Sequence, residues 1–290
     1  MAIRPVKRRS VSEPTLEGAG VRLRRAFGFQ GTAETDPFLL LDDFRGDRPD
    51  DYAAGFPWHP HRGIETVTYV LAGTVEHKDS IGNSGTIGPG DVQWMTAGRG
   101  ILHQEMPSGD ASGRMYGFQL WVNLPASRKM TEPRYQGIEA ADIPAVTRTD
   151  GTVVRIVCGE YDGVAGPVSG GTVDPVYLDI SMPALARASV PISPGRSAFA
   201  YVFGGTGEFA GDPPCAVENR VLALFGDGDA VEATAGPDGM RFLLVSGLPL
   251  REPVAWRGPI VMNTHDELHR AYRELQEGTF LSARSPEPTP

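Results

Sequence analysis

The sequence has few cysteines, no long apolar run and no excess of positive charge. Its two cysteines, Cys158 and Cys215, are too few for a disulfide framework and form no Cys-x-x-Cys metal site. We therefore expect reduced thiols and a cytoplasmic location. No stretch of 18 apolar residues is present, so we expect no membrane-spanning segment. The formal net charge of −9 argues against direct nucleic-acid binding, because phosphate contacts need a basic surface.

The first 25 residues depart from this acidic balance. They contain the basic residues Arg4, Lys7, Arg8, Arg9, Arg22, Arg24 and Arg25. No apolar run follows them, so we do not expect them to form a secretory signal. We expect a solvated basic end whose side chains pair with acidic surface groups.

Glycine (36 residues) and proline (25 residues) exceed their usual share, which favours short elements joined by turns. β-Branched and aromatic runs alternate with turn residues, and this pattern predicts an all-β fold of the sandwich or small-barrel type. The strands predicted in this way cover residues 66–71, 74–78, 92–95, 115–122, 176–182, 197–203, 221–225 and 241–245.

The strand pattern breaks at residues 124–135, which we interpret as a connector between two similar β domains. The predicted domains are residues 1–135 and residues 136–290. One helix is predicted at about residues 264–277, with Asn263 or Thr264 as its cap and Gly278 as its stop. Residues 284–290 have the composition of a disordered tail.

The histidines are unevenly distributed, and two pairs have the spacing of metal ligands. His59 and His61 are two residues apart, so on an extended chain both imidazoles point the same way. Pro60 between them places this stretch at a strand start or a barrel rim. His103 and Glu105 repeat the same spacing. Three imidazoles and one carboxylate suit a divalent transition ion, because imidazole favours Fe, Ni, Cu, Zn or Mn.

The other histidines are interpreted differently. His77 fits neither pair and is expected to lie on the surface of a strand. His265 and His269 lie four residues apart on the predicted helix, but the His-Glu-x-x-His pattern of a zinc protease is absent. Both are expected to be exposed.

Several stretches resemble the pirin family, whose members contain two cupin domains. The resemblance is most specific around the histidines, and it involves residues 57–71, 89–105, 120–125, 252–254 and 258–264. It covers roughly residues 20–280 and implies two tandem cupin (jelly-roll) β-barrels, with the metal only in the N-terminal one.

The resemblance also distinguishes two carboxylates. Cupins in general often use a glutamate four residues after the His-x-His pair, which is Glu65 here, and parity alone allows either residue. Pirins use the glutamate that follows the third histidine, which implies the ligand set His59, His61, His103 and Glu105. Glu65 is then a neighbour that could orient a ligand.

In the C-terminal barrel, the counterpart of the His-x-His pair is expected near residues 176–178 and that of Pro89-Gly90-Asp91 near residues 226–229. No histidine is available between His103 and His265.

Three functions are compatible with this reading. In the first, similarity to pirins with quercetinase activity implies a dioxygenase that opens a flavonol ring with O2, with Glu105 as general base. Phe56, Trp58, Met95 and Phe118 could line its pocket or pack in the core. In the second, the protein is a metal- or redox-dependent regulator that binds a transcription factor or a metabolic enzyme. In the third, it is a metal enzyme acting on another small molecule. Fe(II) is the first expectation for the metal, with Ni, Cu, Mn, Co and Zn as alternatives.

Overall fold

The computed structural model describes residues 2–168 and 171–282, most of which lie in β-strands. The strands of the first half are β1 (Val6–Val11), β2 (Glu13–Glu17), β3 (Val21–Phe27), β4 (Phe38–Asp43), β5 (Phe56–His61), β6 (Ile64–Ala72), β7 (Thr74–Asp79), β8 (Ser84–Ile87), β9 (Val92–Thr96), β10 (Ile101–Ser108), β11 (Tyr116–Asn123) and β12 (Arg134–Ile138). Those of the second half are β13 (Ala145–Thr147), β14 (Val153–Cys158), β15 (Glu160–Tyr161), β16 (Val164–Ala165), β17 (Val176–Met182), β18 (Arg187–Pro191), β19 (Ser197–Phe209), β20 (Cys215–Glu218), β21 (Val221–Phe225), β22 (Ala230–Gly247), β23 (Ala255–Arg257) and β24 (Ile260–Met262). The α-helices are α1 (Thr32–Thr35), α2 (Pro49–Tyr52) and α3 (His265–Gln276), and short 3-10 turns lie at Ala126–Arg128, Ala140–Asp142 and Phe280–Ser282.

The chain forms two compact units, and neither is continuous in sequence. The N-terminal barrel consists of Pro14–Arg25, Phe38–Ala140 and the described residues from Arg251 onward. The C-terminal barrel consists of the described residues up to Glu13, Ala26–Pro37 and Ala141–Leu250. This differs from the simple division at residue 135 suggested by the sequence. The difference arises because β1 pairs with β21, while Val261 of β24 packs into the core of the N-terminal barrel.

The N-terminal unit contains two large antiparallel sheets and the separate two-stranded sheet of β23 and β24. A seven-stranded sheet has the order β12-β9-β6-β11-β4-β3-β2, and a four-stranded sheet has the order β5-β10-β7-β8. The candidate ligands lie on β5 and β10 of the smaller sheet.

The C-terminal barrel repeats this strand order. Its main path is β1-β21-β19-β22-β17-β14-β13, with β18 paired to β22 and β20 paired to β19. By position in the sheets, β18 corresponds to β5, the first part of β22 to β10, and β17 to β4. The repeated topology confirms the prediction of two similar β domains, which the amino-acid sequence does not show as an exact repeat.

The predicted strands are confirmed, because each lies in or overlaps an observed one. The predicted connector at residues 124–135 is wrong, since β12 pairs with β9 inside the N-terminal barrel. Lys129 within this stretch is only 2% exposed. The longest stretch of the N-terminal barrel ends at Ala140, and the longest stretch of the C-terminal barrel begins at Ala141.

The helix prediction is confirmed by α3. The Thr264 side chain accepts a hydrogen bond from the Glu267 amide, and the Glu267 carboxylate accepts one from the Thr264 amide, which forms a capping box. Leu268 and Ala271 form the buried face of the helix. The predicted tail at residues 284–290 lies outside the described residues. None of the described helices has the length and apolar character that crossing a bilayer requires.

The basic residues of the N-terminal segment are largely paired, as predicted. Arg8 lies 3.2 Å from Glu34, and Arg9 lies 3.7 Å from Glu218. Arg4 departs from the expected solvation, because its side chain is 1% exposed. Its guanidinium donates hydrogen bonds to three backbone carbonyls of the C-terminal barrel, as well as contacting the Asp227 carboxylate. It therefore anchors the segment in the fold.

Candidate metal centre

Strand β5 carries the His-x-His pair at the edge of the smaller sheet of the N-terminal barrel. Its sequence has prolines at positions 57 and 60, which suit an edge strand because proline cannot donate to a ladder. The strand ends at His61, and Gly63 turns the chain into β6 with a φ of +79°, a left-handed value that glycine adopts without strain. The extended geometry that the sequence predicts therefore holds for the pair, but it does not continue into β6.

Strand β10 lies beside β5 and brings His103 to the pair. In this antiparallel ladder His103 is opposite His59, and Ile101 is opposite His61. Two local segments about 40 residues apart thus contribute neighbouring imidazoles. His103 is 0% exposed, His61 is 2% exposed, and His59 is partly exposed.

The three imidazoles form one compact group. The ring centroids of His59 and His103 are 4.3 Å apart, those of His59 and His61 are 4.9 Å apart, and those of His61 and His103 are 5.0 Å apart. One ring nitrogen from each residue lies within 4.8 Å of those of the other two. Within residues 2–168 and 171–282, this is the one cluster of histidine, cysteine or acidic side chains with such spacing.

The hydrogen bonds of His59 and His61 fix which nitrogen is free. The Nδ1 atom of His59 is 2.8 Å from the Pro57 carbonyl oxygen, and that of His61 is 3.2 Å from the Pro259 carbonyl oxygen. A carbonyl only accepts, so each Nδ1 carries the proton and each Nε2 bears a lone pair. The two Nε2 atoms face each other at 3.1 Å. Two lone pairs at this distance repel unless a proton or a metal ion lies between them.

Burial and the neighbouring histidines disfavour an additional proton on His61 or His103. Burial lowers the pKa of His61 well below its usual value, and the neighbouring His59 lowers it further. Burial likewise lowers the pKa of His103, with further contributions from His61 and His59. Both ring nitrogens of His103 are buried without a hydrogen-bond partner. The 3.1 Å between the two Nε2 atoms fits the binding of one ion by two neutral imidazoles. Two nitrogens that each lie about 2.1 Å from a metal, in directions at right angles to each other, are about 3 Å apart.

Glu105, the fourth predicted ligand, lies on the same strand as His103 but is not part of the histidine group. It is 6% exposed. Its Oε1 atom accepts hydrogen bonds from Thr68 Oγ1 at 3.0 Å and from Gln93 Nε2 at 3.1 Å. The structure therefore places the carboxylate in the barrel interior with two neutral donors.

Glu65, the alternative carboxylate, lies on β6 and is 3% exposed. Its Oε1 accepts a hydrogen bond from Thr96 Oγ1 at 2.8 Å. Burial raises the pKa of Glu65, and the hydrogen bond from Thr96 opposes this shift. It is not part of the histidine group either.

The prediction that His77 lies on the surface is wrong. His77 is 0% exposed, and its ring stacks on Tyr135 with centroids 4.8 Å apart. It lies 5.5 Å from the His103 ring, and its Nε2 is 3.2 Å from Asp79 Oδ2. The sequence shows that Val75, His77 and Asp79 share one face of the strand, because they alternate with the charged residues at positions 76 and 78.

Asp79 is held firmly beside this histidine. Its Oδ1 accepts hydrogen bonds from the amides of Ile81 and Asn83, and its Oδ2 accepts one from the Asn83 side chain. Burial alone would raise the pKa of Asp79, but these hydrogen bonds lower it below its usual value. An ionised Asp79 therefore orients His77 next to the histidine group.

Three of the four residues named for an aromatic pocket lie in the packed interior. Met95 and Phe118 are 0% exposed, and Met95 belongs to a core cluster. Phe56 packs against another core cluster. Trp58 is 52% exposed and lies next to His59 in sequence. The core-packing alternative thus describes Met95, Phe118 and Phe56.

His265 and His269 are exposed on α3, as predicted.

In the C-terminal barrel, the positions that correspond to the ligands are apolar. On β18 and β22, the strands that correspond to β5 and β10, the buried cross-strand pairs are Ala188–Ala233 and Val190–Val231. The prediction that residues 176–178 are the counterpart of the His-x-His pair is wrong, because β17 corresponds to β4 and not to β5. The prediction that residues 226–229 are the counterpart of Pro89-Gly90-Asp91 is also wrong, because they follow β21, whereas Pro89-Gly90-Asp91 precedes β9.

Comparison with known proteins agrees with this geometry. Residues 20–122 match the family described as Pirin, and residues 177–281 match the Pirin C-terminal cupin domain. The chain is 47% identical over 281 residues to the pirin-like protein of Caulobacter vibrioides, which covers 97% of this chain and 100% of that protein. It is 43% identical over 270 residues to pirin of Homo sapiens, covering 92% of this chain and 90% of that protein.

A solved structure extends the similarity to the whole fold. Quercetin 2,3-dioxygenase from Acinetobacter baumannii superposes with a TM-score of 0.88 at 33% sequence identity. The alignment covers 96% of this chain and 99% of that chain. Together with the two matched domains, these similarities establish that the chain belongs to the pirin family and contains two cupin domains.

Proposed function

We propose that the chain holds one divalent transition metal through His59, His61 and His103, with Glu105 as the fourth ligand, and that this centre opens a flavonol ring with O2. The observation that carries the proposal is the opposition of two Nε2 lone pairs at 3.1 Å beside a third, unpartnered buried imidazole. The similarity to quercetin 2,3-dioxygenase of Acinetobacter baumannii supports the choice of reaction.

Each side chain has a defined task in this proposal. The three histidines present neutral nitrogens, and the carbonyls of Pro57 and Pro259 keep two of these rings in one tautomer. When bound, the metal supplies a Lewis acid and an electron path between the flavonol and O2. Glu105 accepts the proton of the flavonol hydroxyl at a carboxylate oxygen, and Thr68 and Gln93 orient that carboxylate.

The access route follows from burial. His59 is the partly exposed member of the trio and lies on the edge strand β5, whereas His61 and His103 are buried. A substrate therefore approaches from the His59 side, where the exposed Trp58 offers an aromatic face. Fe(II) is our first choice of metal, because the set of imidazoles and one carboxylate suits it, and the same set accepts Ni, Cu, Mn, Co or Zn.

Turnover tests the reaction. Protein loaded separately with Fe(II), Ni(II) or Cu(II) is mixed with a panel of flavonols while absorbance and dissolved oxygen are followed. We expect consumption of flavonol with matching oxygen uptake and release of carbon monoxide. The absence of turnover with all three metals over the panel would remove the dioxygenase proposal.

Ligand substitutions test the metal assignment. His61→Ala, His103→Ala and Glu105→Ala are each expected to lower metal affinity by about 10-fold or more. His265→Ala on the exposed face of α3 is the matched control and should bind metal like the wild type. Retention of full affinity by Glu105→Ala would leave Glu105 as a base only.

The base role of Glu105 has a separate readout. Glu105→Gln keeps the size of the side chain but cannot accept the hydroxyl proton. We expect kcat to fall by about 100-fold or more at saturating metal. An unchanged kcat would assign the proton transfer to another group.

The alternative, a metal- or redox-dependent regulator, stays a prediction from the sequence. It would be favoured over catalysis by capture of one protein partner that depends on the oxidation state of bound iron.

A further inference from the structure

The C-terminal segment, residues 255–282, lies directly against the end of the His-x-His strand. The Pro259 carbonyl accepts a hydrogen bond from Nδ1 of His61 at 3.2 Å. The next residue of the segment, Ile260, forms a β-bridge with Arg62, and the Val261 amide donates to the Arg62 carbonyl at 3.1 Å. A segment some 200 residues away in sequence thus supplies the partner that sets the tautomer of one candidate ligand.

The turn that presents the Pro259 carbonyl is itself fixed. The indole N–H of Trp256 donates to the Gly258 carbonyl at 2.8 Å. The Tyr272 hydroxyl on α3 donates to the Arg257 carbonyl at 2.6 Å. Two side chains of the segment therefore hold the two residues before Pro259, and the carbonyl facing His61 has little freedom to turn away.

Lys129 fastens the segment to the chain just after His61. Its ammonium is buried and donates to the Gly63 carbonyl at 2.9 Å, to Asn123 Oδ1 at 2.7 Å and to the Val261 carbonyl at 3.1 Å. A single side chain therefore bridges the β5–β6 turn and β24. The backbone of Gly63 lies so close to β24 that a Cβ atom at this position would be 1.9 Å from the Val261 carbonyl oxygen.

Arg62, the residue after His61, provides a second fastening. Its guanidinium is 2% exposed and donates to Glu274 on α3 at 2.6 Å and to the Phe280 carbonyl at 2.8 Å. It also lies 4.1 Å from the centroid of the Phe280 ring. The segment is therefore attached to both residues that follow His61.

We propose that the C-terminal segment is a positioning element of the metal centre: the Pro259 carbonyl fixes the His61 ring, and Lys129 and Arg62 keep that carbonyl in place. This inference rests on the proposed metal site. It makes docking of the segment and metal binding reciprocal, since whatever strengthens one strengthens the other by the same factor.

Gly63→Ala is the direct test. The added methyl group would collide with the Val261 carbonyl and push β24 away from His61. Gly195→Ala is the matched control, because Gly195 has the same φ of +79° but a Cβ there would meet nothing within 4 Å. We expect nickel(II) affinity, measured by chelator competition, to fall by about 10- to 100-fold in Gly63→Ala and to stay unchanged in Gly195→Ala.

Two readouts do not depend on activity or on metal. In metal-free wild-type protein, the ring ¹⁵N shifts of His61 should report a protonated Nδ1, and this signature should be lost or mixed in Gly63→Ala. Amide hydrogen exchange of Val261 should be faster in Gly63→Ala than in the wild type. In the wild type, saturating nickel(II) should slow this exchange by a factor similar to the loss of affinity in the variant.

The outcomes separate the inference from the proposed function. If wild-type protein binds no nickel(II), the metal proposal fails, while the ring signature and the exchange rate still test the docking contact. If Gly63→Ala shows faster Val261 exchange but unchanged affinity, the positioning role is overturned. Should Gly63→Ala not fold, Lys129→Met, which removes the cation but keeps an unbranched side chain of similar length, gives the same expected losses by the same measurements.

Discussion

Lys129 should make the stability of the protein depend on pH above neutrality. Its ammonium is 2% exposed, and its three hydrogen-bond acceptors are two backbone carbonyls and the Asn123 side chain. Burial lowers the pKa of Lys129 to about 7 from the usual 10.5, and the more distant Glu252 and Glu267 oppose this shift. The folded protein therefore releases this proton near neutrality, whereas the unfolded chain keeps it until the pH approaches the usual pKa of 10.5.

The sign and size of the effect follow from proton linkage. Between these two pKa values the unfolded state binds one more proton, so the free energy of unfolding rises with pH. A full one-proton difference gives a slope of about 1.4 kcal/mol per pH unit. Because the folded group is half titrated near pH 7, the gain between pH 7 and pH 9 is about 2 kcal/mol.

Urea unfolding of metal-free protein at pH 7 and pH 9 measures this gain. We expect the wild type to gain about 2 kcal/mol more than Lys129→Met, which has no group to titrate. Lys78→Met is the control, because Lys78 is half exposed beside Glu76 and its loss should leave the wild-type pH dependence unchanged. The same pH dependence in the wild type and in Lys129→Met would refute the reasoning, since it would mean that the Lys129 pKa is the same in both states.

Three further substitutions test the packing. Phe209→Ala removes a ring that is 0% exposed and packs edge-on against two other phenylalanines, so chemical denaturation should show a loss of about 3–5 kcal/mol; less than 1 kcal/mol would contradict this placement. Thr264→Ala removes the acceptor of the Glu267 amide and should cost about 1 kcal/mol in thermal unfolding, whereas Thr264→Ser should cost little. Arg62→Met leaves Glu274 without its partner and should cost about 3–5 kcal/mol, which an unchanged midpoint in urea would disprove.

The strands could be predicted because their evidence is local. Alternation of side chains and turn residues between runs depend only on neighbours in sequence, and they located strands such as β17 and β21 to the residue. The limits of the two units could not be found in this way. They depend on β1 pairing with β21 and on Val261 packing in the N-terminal core, and neither leaves a local signal.

In the candidate site, too, some features could be predicted from local sequence and others could not. The spacing of His59 and His61 places both imidazoles on the same face of an extended strand, so this pair could be predicted from the sequence alone. His77 was misjudged although its alternation with Val75 and Asp79 was visible, because alternation shows that residues share a face but not which face is buried.

The sequence by itself determined the strand-rich character, the capped C-terminal helix and the types of side chain available to a metal, because each follows from composition and short-range geometry. Only the tertiary structure decided that β5 and β10 bring three imidazoles together, that the Glu105 carboxylate is held by Thr68 and Gln93, and that Pro259 and Lys129 support His61. These contacts join segments from 12 to 198 residues apart. Such pairings are chosen by the burial and hydrogen bonding of the whole barrel, which no short stretch of the chain encodes.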